Sequence, residues 1–446
     1  MHRREFIGTG AVLAAGISIL PSATVFGRNM DKIRLGYIGV GLRGQNHIQA
    51  GLQRSDVEIV AICDTQERSL KACRQQFVSA GKPLPKEYTG GIDAYKRLLE
   101  DKSIDAVIIA TPWQFHHPQA IDAMKAGKYV GCEVIAGQSM DDHWGLVKTH
   151  EATGIPYMTL ENVCYRRDVM AILNMQRQGL FGEMIHLEGG YQHNLRGVLF
   201  NDGTSARGPL YGPPAFSEAQ WRTQFNIDRN ADIYPTHGAG PLLHYANINY
   251  GNRFTNLVSF SSKARGLSAY IDEIAPGNPN AKINYKNGDV ITTMINCANG
   301  ETVLLSHDTH LPRPYSLGFR VQGTKGLWMD VANSVYIEGQ SKNNDQWDKA
   351  DEWLAKYDHP LWKKYSEQAV GAGHGGMDWF VFNAFVESVK RKVQTPIDVY
   401  DSVTMSAITP LSEKSIAEGN MPQQFPDFTK GKWEHRVSKF ALDDDY

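Results

Sequence analysis

The chain has 446 residues, of which 42% are hydrophobic and 21% are charged, which is typical of a globular protein with a sizeable core. This composition excludes a disordered, collagen-like or coiled-coil chain. Lysine and arginine (46 residues) nearly balance aspartate and glutamate (48 residues), and no basic block is present, which argues against a nucleic-acid partner.

The first 28 residues have the layout of a twin-arginine export signal. Arg3 and Arg4 precede Phe6. A short apolar stretch that contains glycine and alanine then extends from Phe6 to Leu20, and a Pro/Ser/Ala segment follows it. This stretch is too short and too glycine-rich for a membrane span, and no later segment approaches about 20 uninterrupted apolar residues. We therefore expect export to the periplasm and no membrane span in the mature chain. The alternative to an export signal is an irregular N-terminal segment of a cytoplasmic protein.

A glycine-rich loop follows the first predicted strand, residues 33–38. The loop has the pattern Gly-x-Gly-x-x-Gly, with Leu42 and Arg43 before the last glycine, and a helical pattern then runs to about Leu52; its glycines are Gly39, Gly41 and Gly44. In this context the first glycine permits a tight turn, the second lets the backbone approach a pyrophosphate, and the third lets helix pack on strand. The helix N-terminus adds N–H donors and the positive end of its dipole. The pattern predicts a dinucleotide site.

The second predicted strand, residues 57–64, ends in an acid that is placed to bind a ribose. Asp64 stands 20 residues after Gly44, the spacing at which a carboxylate accepts from the ribose 2′-hydroxyl. A 2′-phosphate would be repelled there, so NAD is favoured over NADP. The alternative is a glycine turn with a solvated aspartate.

Beyond Asp64 the alternation of helices and strands continues. We predict helices over residues 66–80 and 118–126, with strands over residues 106–111 and 129–134. Ligands of such parallel sheets bind beyond the carboxyl ends of the strands. Four residues are therefore predicted to face the cofactor: Trp113, His116, Glu133 and Val134. Trp113 and His116 are equally compatible with a packing role.

The order of these elements resembles the Gfo/Idh/MocA family. The resemblance implies an N-terminal Rossmann domain with a doubly wound parallel sheet, residues 31–165, and a C-terminal α/β domain with an open, mostly antiparallel sheet, residues 166–446. That family usually carries Glu-Lys-Pro after the fifth strand, with the lysine as a proton-transfer group. This chain has Glu133-Val134-Ile135 instead. Dehydrogenation that depends on this lysine is therefore disfavoured.

Further strings are similar to the NAD-dependent α-N-acetylgalactosaminidases of glycoside hydrolase family 109: residues 161–168, 189–193, 221–223, 234–238, 313–319 and 371–378. The similarity covers essentially the whole mature chain. It implies a cofactor set matching Leu42, Arg43, Asp64, Trp113, His116, Glu133 and Asn162. It implies a sugar-binding set matching Tyr191, Arg222, Tyr234, His237 and Tyr315.

The same resemblance implies an unusual glycosidase reaction that retains the anomeric configuration. NAD would oxidise C3 of the sugar, the C2 proton and the C1 substituent would be eliminated, water would add, and C3 would be reduced again. We assign His237 as the acid/base for the C3 hydroxyl, since imidazole titrates near neutral pH, and Tyr191 as the weaker candidate for the C2 proton. Tyr234 would lie near His237 where Pro235 leads into a helix. Arg222 and Tyr315 would hold polar groups of the sugar.

Two other functions stay open from the sequence. A plain NAD-dependent sugar or cyclitol dehydrogenase would share the Rossmann half, and an exported nucleotide-binding protein would need no catalysis. A homodimer is expected by analogy alone, because exposed sheet faces in this fold often pair subunits. His374, in the glycine-rich residues 371–376, belongs either to a loop over the site or to the turn before a helix over residues 377–391.

The cysteines are scattered without the Cys-x-x-Cys spacing of zinc sites: Cys63, Cys73, Cys132, Cys164 and Cys297. Their odd number argues against a disulfide framework. We expect the cysteines to act as small apolar side chains in or near the core, and we predict no metal site.

Overall fold

The computed structural model describes residues 31–204, 208–444 and 446. The predicted export signal, residues 1–28, lies outside the described residues. Within them, no helix is long and apolar enough to cross a membrane.

The N-terminal half is a parallel sheet with the strand order β3-β2-β1-β4-β5-β6. Its strands are β1 (Ile33–Ile38), β2 (Val57–Cys63), β3 (Lys86–Tyr88), β4 (Ala106–Ile109), β5 (Tyr129–Cys132) and β6 (Tyr157–Thr159). Its helices are α1 (Leu42–Leu52), α2 (Glu67–Ser79), α3 (Ala94–Leu99), α4 (Trp113–Lys125) and α5 (Met140–Thr153). All four residues of β4 are buried, as expected for a strand covered on both faces. The strand order reverses between β1 and β4, which places the ligand crevice there.

Three predicted boundaries in this half are wrong. Helix α4 begins at Trp113 rather than residue 118, because the extended Pro112 precedes it and Pro118 is accommodated inside the helix. Strands β4 and β5 end at Ile109 and Cys132, two residues early. Glu133 and Val134 consequently lie in the loop after β5, at the edge where the sheet binds ligands.

The C-terminal half is built on a nine-stranded sheet with the order β14-β13-β12-β11-β7-β10-β9-β8-β15. Its strands are β7 (Met184–Gln192), β8 (Phe254–Ser261), β9 (Val290–Cys297), β10 (Thr302–Asp308), β11 (Arg320–Gly323), β12 (Gly326–Met329), β13 (Ser334–Ile337), β14 (Asp348–Lys349) and β15 (Gln423–Gln424). Only β7 and β10 are parallel; the other neighbours in this sheet are antiparallel. The predicted fold class is therefore confirmed.

The helices of this half are α6 (Arg167–Arg177), α7 (Arg196–Leu199), α8 (Arg222–Asp228), α9 (Thr236–Tyr245), α10 (Gly266–Ile274), α11 (Ala350–Lys356), α12 (Pro360–Ala369), α13 (Met377–Arg391) and α14 (Val399–Ala417). Short 3-10 helices cover Asn162–Tyr165, Ser217–Gln220, Pro279–Lys282, His374–Gly376 and Lys432–Glu434. The bounds of α13 match the prediction. Helix α9 begins directly after Pro235, as the sequence indicates.

Two glycines bring α9 against the centre of the nine-stranded sheet. A Cβ on Gly238 would lie 2.5 Å from the backbone nitrogen of Gly190, closer than non-bonded atoms approach. Helix and strand therefore touch through their backbones. This contact places Tyr191, next on β7, beside the first turn of α9.

The last two helices return to the N-terminal sheet. The Thr159 N–H donates to Ser402 Oγ (3.1 Å), and the Ala136 N–H donates to Ser406 Oγ (3.0 Å), both on α14. Helix α13 packs on β5, where a Cβ on Gly131 would lie 3.3 Å from the ring of Phe385. The domain boundary predicted at residues 165–166 stays a prediction. All five cysteines are buried and unpaired.

Candidate functional site

A cavity of about 730 Å³ opens at the carboxyl edge of the parallel sheet and is lined by both halves of the chain. The N-terminal half contributes most of the predicted cofactor residues: Gly39, Gly41, Leu42, Arg43, Asp64, Trp113, His116, Glu133 and Val134. The C-terminal half contributes Phe216, Glu218, Trp221, Arg222 and Tyr234. Of the predicted cofactor residues, Gly44 and Asn162 are not part of the cavity wall.

The glycine loop has the geometry that a dinucleotide requires. Gly39 has φ +88°, and a Cβ there would lie 2.6 Å from the carbonyl oxygen of Ala110. A Cβ on Gly44 would lie 2.3 Å from the Gly39 carbonyl oxygen, so only glycine allows α1 to pack this closely. Gly41, in contrast, has nothing within 4 Å of its Cβ position. That open space next to the N-terminus of α1 fits a pyrophosphate.

Asp64 is held in the cavity wall at the end of β2. Its carboxylate accepts from the backbone N–H of Val40 (2.8 Å) and of Gln66 (2.7 Å). Burial raises the pKa of Asp64, and these backbone donors oppose that rise. Arg68, one turn further, also lines the cavity, and its guanidinium lies 4.5 Å from the ring centroid of Phe216. This part of the cavity wall therefore combines an acid, an arginine and an aromatic ring from the other half.

Arg43 links the glycine loop to two carboxylates. Its Nη2 lies 3.0 Å from Glu133 Oε1, and its Nη1 lies 3.0 Å from Asp378 Oδ2. Burial alone would raise the pKa of Glu133, but the Arg43 charge and the hydrogen bond from His47 lower it to about 2. Burial likewise opposes ionisation of Asp378, and its pKa is nevertheless well below the usual range because of the hydrogen bond with His374 and the Arg43 charge.

Three more side chains complete this network. His47 Nε2 lies 2.6 Å from Glu133 Oε1, and Asn162 Nδ2 donates to Asp378 Oδ1 at 2.6 Å. His374 Nδ1 lies 2.8 Å from Asp378 Oδ2. Asn162 thus supports the cofactor wall from behind. His374 stands in the turn before α13, which is one of the two sequence interpretations, and it contacts Asp378 of this network. A loop over the site stays a prediction.

His116 is held by the backbone rather than directed into free space. It is 1% exposed, with Nδ1 2.8 Å from the Ile135 carbonyl oxygen and Nε2 2.7 Å from the Thr111 carbonyl oxygen. Burial lowers the pKa of His116. The neutral ring donates to one of these carbonyl oxygens and contacts the other, so His116 lies between the loop after β4 and the loop after β5.

The other end of the cavity is aromatic. The Trp113 ring centroid lies 5.0 Å from that of Trp221 and 5.7 Å from that of Tyr234. The Arg222 guanidinium lies 5.0 Å from the Trp113 centroid and 4.8 Å from the Tyr234 centroid, and it pairs with Glu218 at 2.5 Å. Arg222 is 7% exposed, and although burial opposes its charge, Glu218 holds its pKa above the usual value.

Next to this aromatic end, three of the predicted sugar residues lie together. The Tyr191 ring centroid is 4.7 Å from that of Tyr234 and 5.2 Å from that of His237, and those of Tyr234 and His237 are 4.9 Å apart. Tyr315 is 46% exposed and is not part of the cavity wall, and its ring centroid lies 6.4 Å from that of Tyr191. The structure thus brings near one another four residues that span 124 positions of the chain, from Tyr191 to Tyr315.

Burial raises the pKa of Tyr191 and that of Tyr234, while the Arg222 charge lowers both. Both phenols are therefore protonated near neutral pH. The Tyr191 hydroxyl lies 3.0 Å from His193 Nδ1, which offers its proton a neighbouring acceptor. A phenol in this position can donate to, or exchange a proton with, a bound sugar.

Sequence reasoning missed several partners of these residues: Glu161, His193, Glu218 and Asp378. His237 Nδ1 lies 2.7 Å from Glu161 Oε1, and Glu161 is fully buried. All four stand in or beside the strings that carry the family resemblance. Their positions were therefore visible in the sequence, but their contacts were not.

Comparison with known proteins agrees with this architecture. Residues 33–134 match an oxidoreductase family with an NAD-binding Rossmann fold, and residues 165–435 match the C-terminal domain of glycosyl hydrolase family 109. A solved structure of levoglucosan dehydrogenase in complex with NADH superposes with a TM-score of 0.65 at 18% identity, covering 89% of this chain and all of that one. The myo-inositol 2-dehydrogenase of Lactobacillus plantarum superposes with a TM-score of 0.60 at 16% identity over the same shares.

These matches define the class: an NAD-binding Rossmann domain joined to a sheet domain that completes the cavity. Among curated proteins, a glycosyl hydrolase family 109 protein of Stenotrophomonas maltophilia is 54% identical across the whole of this chain and 99% of its own length. An α-N-acetylgalactosaminidase of Tannerella forsythia is 51% identical over 93% of this chain and 90% of its own length. The chain belongs to glycosyl hydrolase family 109.

Proposed function

We propose that this protein is an exported glycosidase that releases terminal α-linked N-acetylgalactosamine with retention. The reaction would run by oxidation at C3, elimination across C1 and C2, addition of water and reduction at C3. The observation that carries the proposal is the shared cavity. One wall has the glycine loop and Asp64, which fit NAD, while the other has Arg222 and Tyr234, with Tyr191 and His237 adjacent.

When bound, NAD supplies a reversible acceptor for the hydride of C3. The chain would hold it with the glycine loop at the pyrophosphate and Asp64 at the ribose. The aromatic end of the cavity, at Trp113 and Tyr234, would then receive the sugar. Exclusion of water by this wall would protect the intermediates of the cycle from side reactions.

The cavity wall also argues against the usual two-carboxylate mechanism of glycosidases. The acids that line it in the described residues are Asp64, Glu133 and Glu218. Asp64 accepts from two backbone N–H groups, Glu133 is paired with Arg43, and Glu218 is paired with Arg222. Among the residues that the structure describes, no carboxyl group of this wall is unpaired and free to protonate a glycosidic oxygen. A route that moves protons at carbon needs no such group.

In this route His237 takes the proton of the C3 hydroxyl and later returns it. Tyr191 accepts the C2 proton on its phenol oxygen while it passes its own proton to His193 Nδ1, 3.0 Å away. Once C3 is a ketone, the C2 proton becomes acidic, so a neighbouring phenol and imidazole suffice for the elimination. Arg222 and Tyr315 hold polar groups of the sugar, and Tyr234 places it between them.

The alternative is a sugar or cyclitol dehydrogenase. Val134 stands where that reaction would need lysine, and it packs with Trp113 and Ile135 in an apolar cluster. No lysine lines the cavity within the described residues. The wall therefore favours the glycosidase over a dehydrogenase that uses such a lysine.

One experiment separates these functions. Aryl α-N-acetylgalactosaminide is supplied in deuterated water, and phenol release, NADH absorbance and deuterium at C2 of the released sugar are followed together. The proposal expects phenol release, C2 deuteration and no net NADH. Stoichiometric NADH without phenol release would make the protein a dehydrogenase. Phenol release without C2 deuterium would replace the elimination by direct hydrolysis.

We also propose export through the twin-arginine route, supported by Arg3 and Arg4 ahead of Phe6. Changing both arginines to lysine should retain the protein in the cytoplasm of a bacterium that has this route, as cell fractionation would measure.

We further propose a homodimer through the outer face of the nine-stranded sheet, where Phe260 and Met294 are exposed. Analytical ultracentrifugation tests it, and a monomer at micromolar concentration would contradict it.

A further inference from the structure

The carboxylate beside His237 has unusual surroundings. Glu161 follows β6 and is fully buried, whereas most buried charges need several partners. One oxygen, Oε1, lies 2.7 Å from His237 Nδ1 and accepts from the Val163 N–H at 3.0 Å. The other, Oε2, has no hydrogen-bond partner among the described residues. Glu161 is thus a buried acid whose polar contacts are His237 and one backbone donor.

We propose that Glu161 is the positioning residue of the reaction: it fixes the ring of His237 with its proton on Nδ1, directs Nε2 at the sugar, and stabilises the imidazolium. This inference rests on the proposed function, in which His237 exchanges the C3 hydroxyl proton. The O–H bond of the hydroxyl breaks and an N–H bond forms at Nε2. The proton returns when C3 is reduced, so no proton is transferred to Glu161.

The local fold explains why Glu161 can hold the ring. Its Oε1 caps the 3-10 helix Asn162–Tyr165 through Val163, which anchors the carboxylate to the backbone. Gly240 of α9 packs on the Glu161 stem, since a Cβ at Gly240 would lie 3.0 Å from Glu161 Cγ. Strand end and helix are therefore in close contact. The ring of His237, on the first turn of α9, has one buried side and one side toward Tyr191 and Tyr234.

A carboxylate in this position has two effects on an imidazole. It selects the tautomer, because Nδ1–H is the form that can donate to it. It also favours the protonated ring, because opposite charges attract strongly where water is excluded. The titratable groups that face His237 are Glu161 from the loop after β6, Tyr191 and His193 from the end of β7, and Tyr234 just before α9. Of these only Glu161 is a carboxylic acid.

The test uses the glutamine variant of the NAD-saturated enzyme. Glu161→Gln keeps the acceptor oxygen for Val163 and the ring, places the amide nitrogen at the unpartnered Oε2 position, and removes the charge. We expect kcat to fall about tenfold to hundredfold, part of the about 10²- to 10⁴-fold contribution of general acid–base groups. The acid limb of the kcat/KM profile should move to lower pH, because the imidazolium loses its stabilising partner. NAD affinity should be unchanged.

Two further variants separate positioning from structural damage. Glu188→Gln is a matched control, because Glu188 also lies beside a histidine on β7 (His186, 3.1 Å), but this histidine has no part in the proposed reaction. It should leave kcat and the acid limb unchanged. In a His237→Ala background, Glu161→Gln should have no further effect, because its target is already absent. Additive losses, or wild-type turnover in Glu161→Gln, would overturn the proposal.

A second measurement does not depend on the reaction. In ¹⁵N-histidine-labelled protein, the His237 signals are those missing from His237→Ala. Neutral His237 should carry its proton on Nδ1, and its titration should move to lower pH in Glu161→Gln but not in Glu188→Gln. A wild-type Nε2–H tautomer would overturn the proposal even where Glu161→Gln fails to fold. A wild type that does not cleave the aryl glycoside would refute only the proposed function, since the ring titration decides on Glu161 by itself.

Discussion

Arg43, in the first turn after the glycine loop, and Asp378, in the first turn of α13, are 335 residues apart in the chain and 3.0 Å apart in the fold. Their contact joins the C-terminal helix to the N-terminus of α1, where the cofactor pyrophosphate would bind. The Arg43 side chain is 22% exposed and that of Asp378 is 8% exposed, so water screens the pair only weakly. The last third of the chain therefore supports the cofactor site directly.

A double-mutant cycle measures this support. Arg43→Met and Asp378→Asn should each lower the free energy of unfolding, and the double variant should lose less than the sum. We expect a coupling energy of about 1–3 kcal/mol, the range for residues that share one ion-pair network. Urea denaturation of the four proteins provides the numbers. Strictly additive losses would show that the contact carries no energy of its own.

Glu133 should make the protein sensitive to acid. Its folded-state pKa is about 2 against an ordinary value of 4.5, so the carboxylate stabilises the fold above pH 4.5 and this contribution is lost as the pH falls toward 2. The shift corresponds to about 3 kcal/mol. Glu133→Gln should therefore be less stable than the wild type at pH 7 and should lose less further stability between pH 5 and pH 2. Parallel pH slopes for the two proteins would contradict the assignment.

His237 should be essential for turnover and dispensable for cofactor binding. His237→Ala should lower kcat by at least about 10²-fold, the lower end of general acid–base contributions, because the C3 hydroxyl loses its proton acceptor. NAD titration by quenching of tryptophan fluorescence should give the wild-type affinity, since the ring is separate from the glycine loop. Wild-type turnover in this variant would remove the acid/base assignment.

Asp64 should govern the choice between NAD and NADP. Asp64→Ser removes the repulsion of a 2′-phosphate and leaves Arg68 in the same wall, available to a phosphate. We expect NAD affinity to fall about tenfold, which corresponds to about 1.4 kcal/mol for the lost ribose contact, and NADP affinity to rise. Isothermal titration measures both. Asp93→Asn, an exposed acid outside the cavity wall, is the control and should change neither.

Phe216 should slow cofactor release. Its ring, from the C-terminal half, lies 4.5 Å from the Arg68 guanidinium, and both side chains line the cavity. Phe216→Ala removes that contact, which at a partly exposed site contributes about 0.5–1 kcal/mol, so NAD should dissociate about two- to fivefold faster. Stopped-flow displacement with excess NADH measures the rate. An unchanged rate would show that the segment carrying Phe216 does not retain the cofactor.

Local patterns determined much of this protein. The glycine loop, the acid at the end of β2 and the bounds of α13 follow from spacing and periodicity, because a turn, a strand end and a helix each depend on neighbouring residues. The resemblance carried by Tyr191, Arg222 and His237 was also readable, since it resides in short strings. The wrong start of α4 arose from a local ambiguity, because either Pro112 or Pro118 is compatible with the beginning of a helix.

Only the tertiary structure decided which side chains meet. Glu161 reaches His237 across 76 residues, and Asp378 reaches Arg43 across 335. His116 turned out to lie between two loops, with its ring nitrogens next to the carbonyl oxygens of Ile135 and Thr111, a placement that its position after β4 does not reveal. Such contacts depend on how closely helices pack on sheets, as at Gly190 and Gly238. Periodicity along the chain reports which face of an element is buried, but not what lies against it.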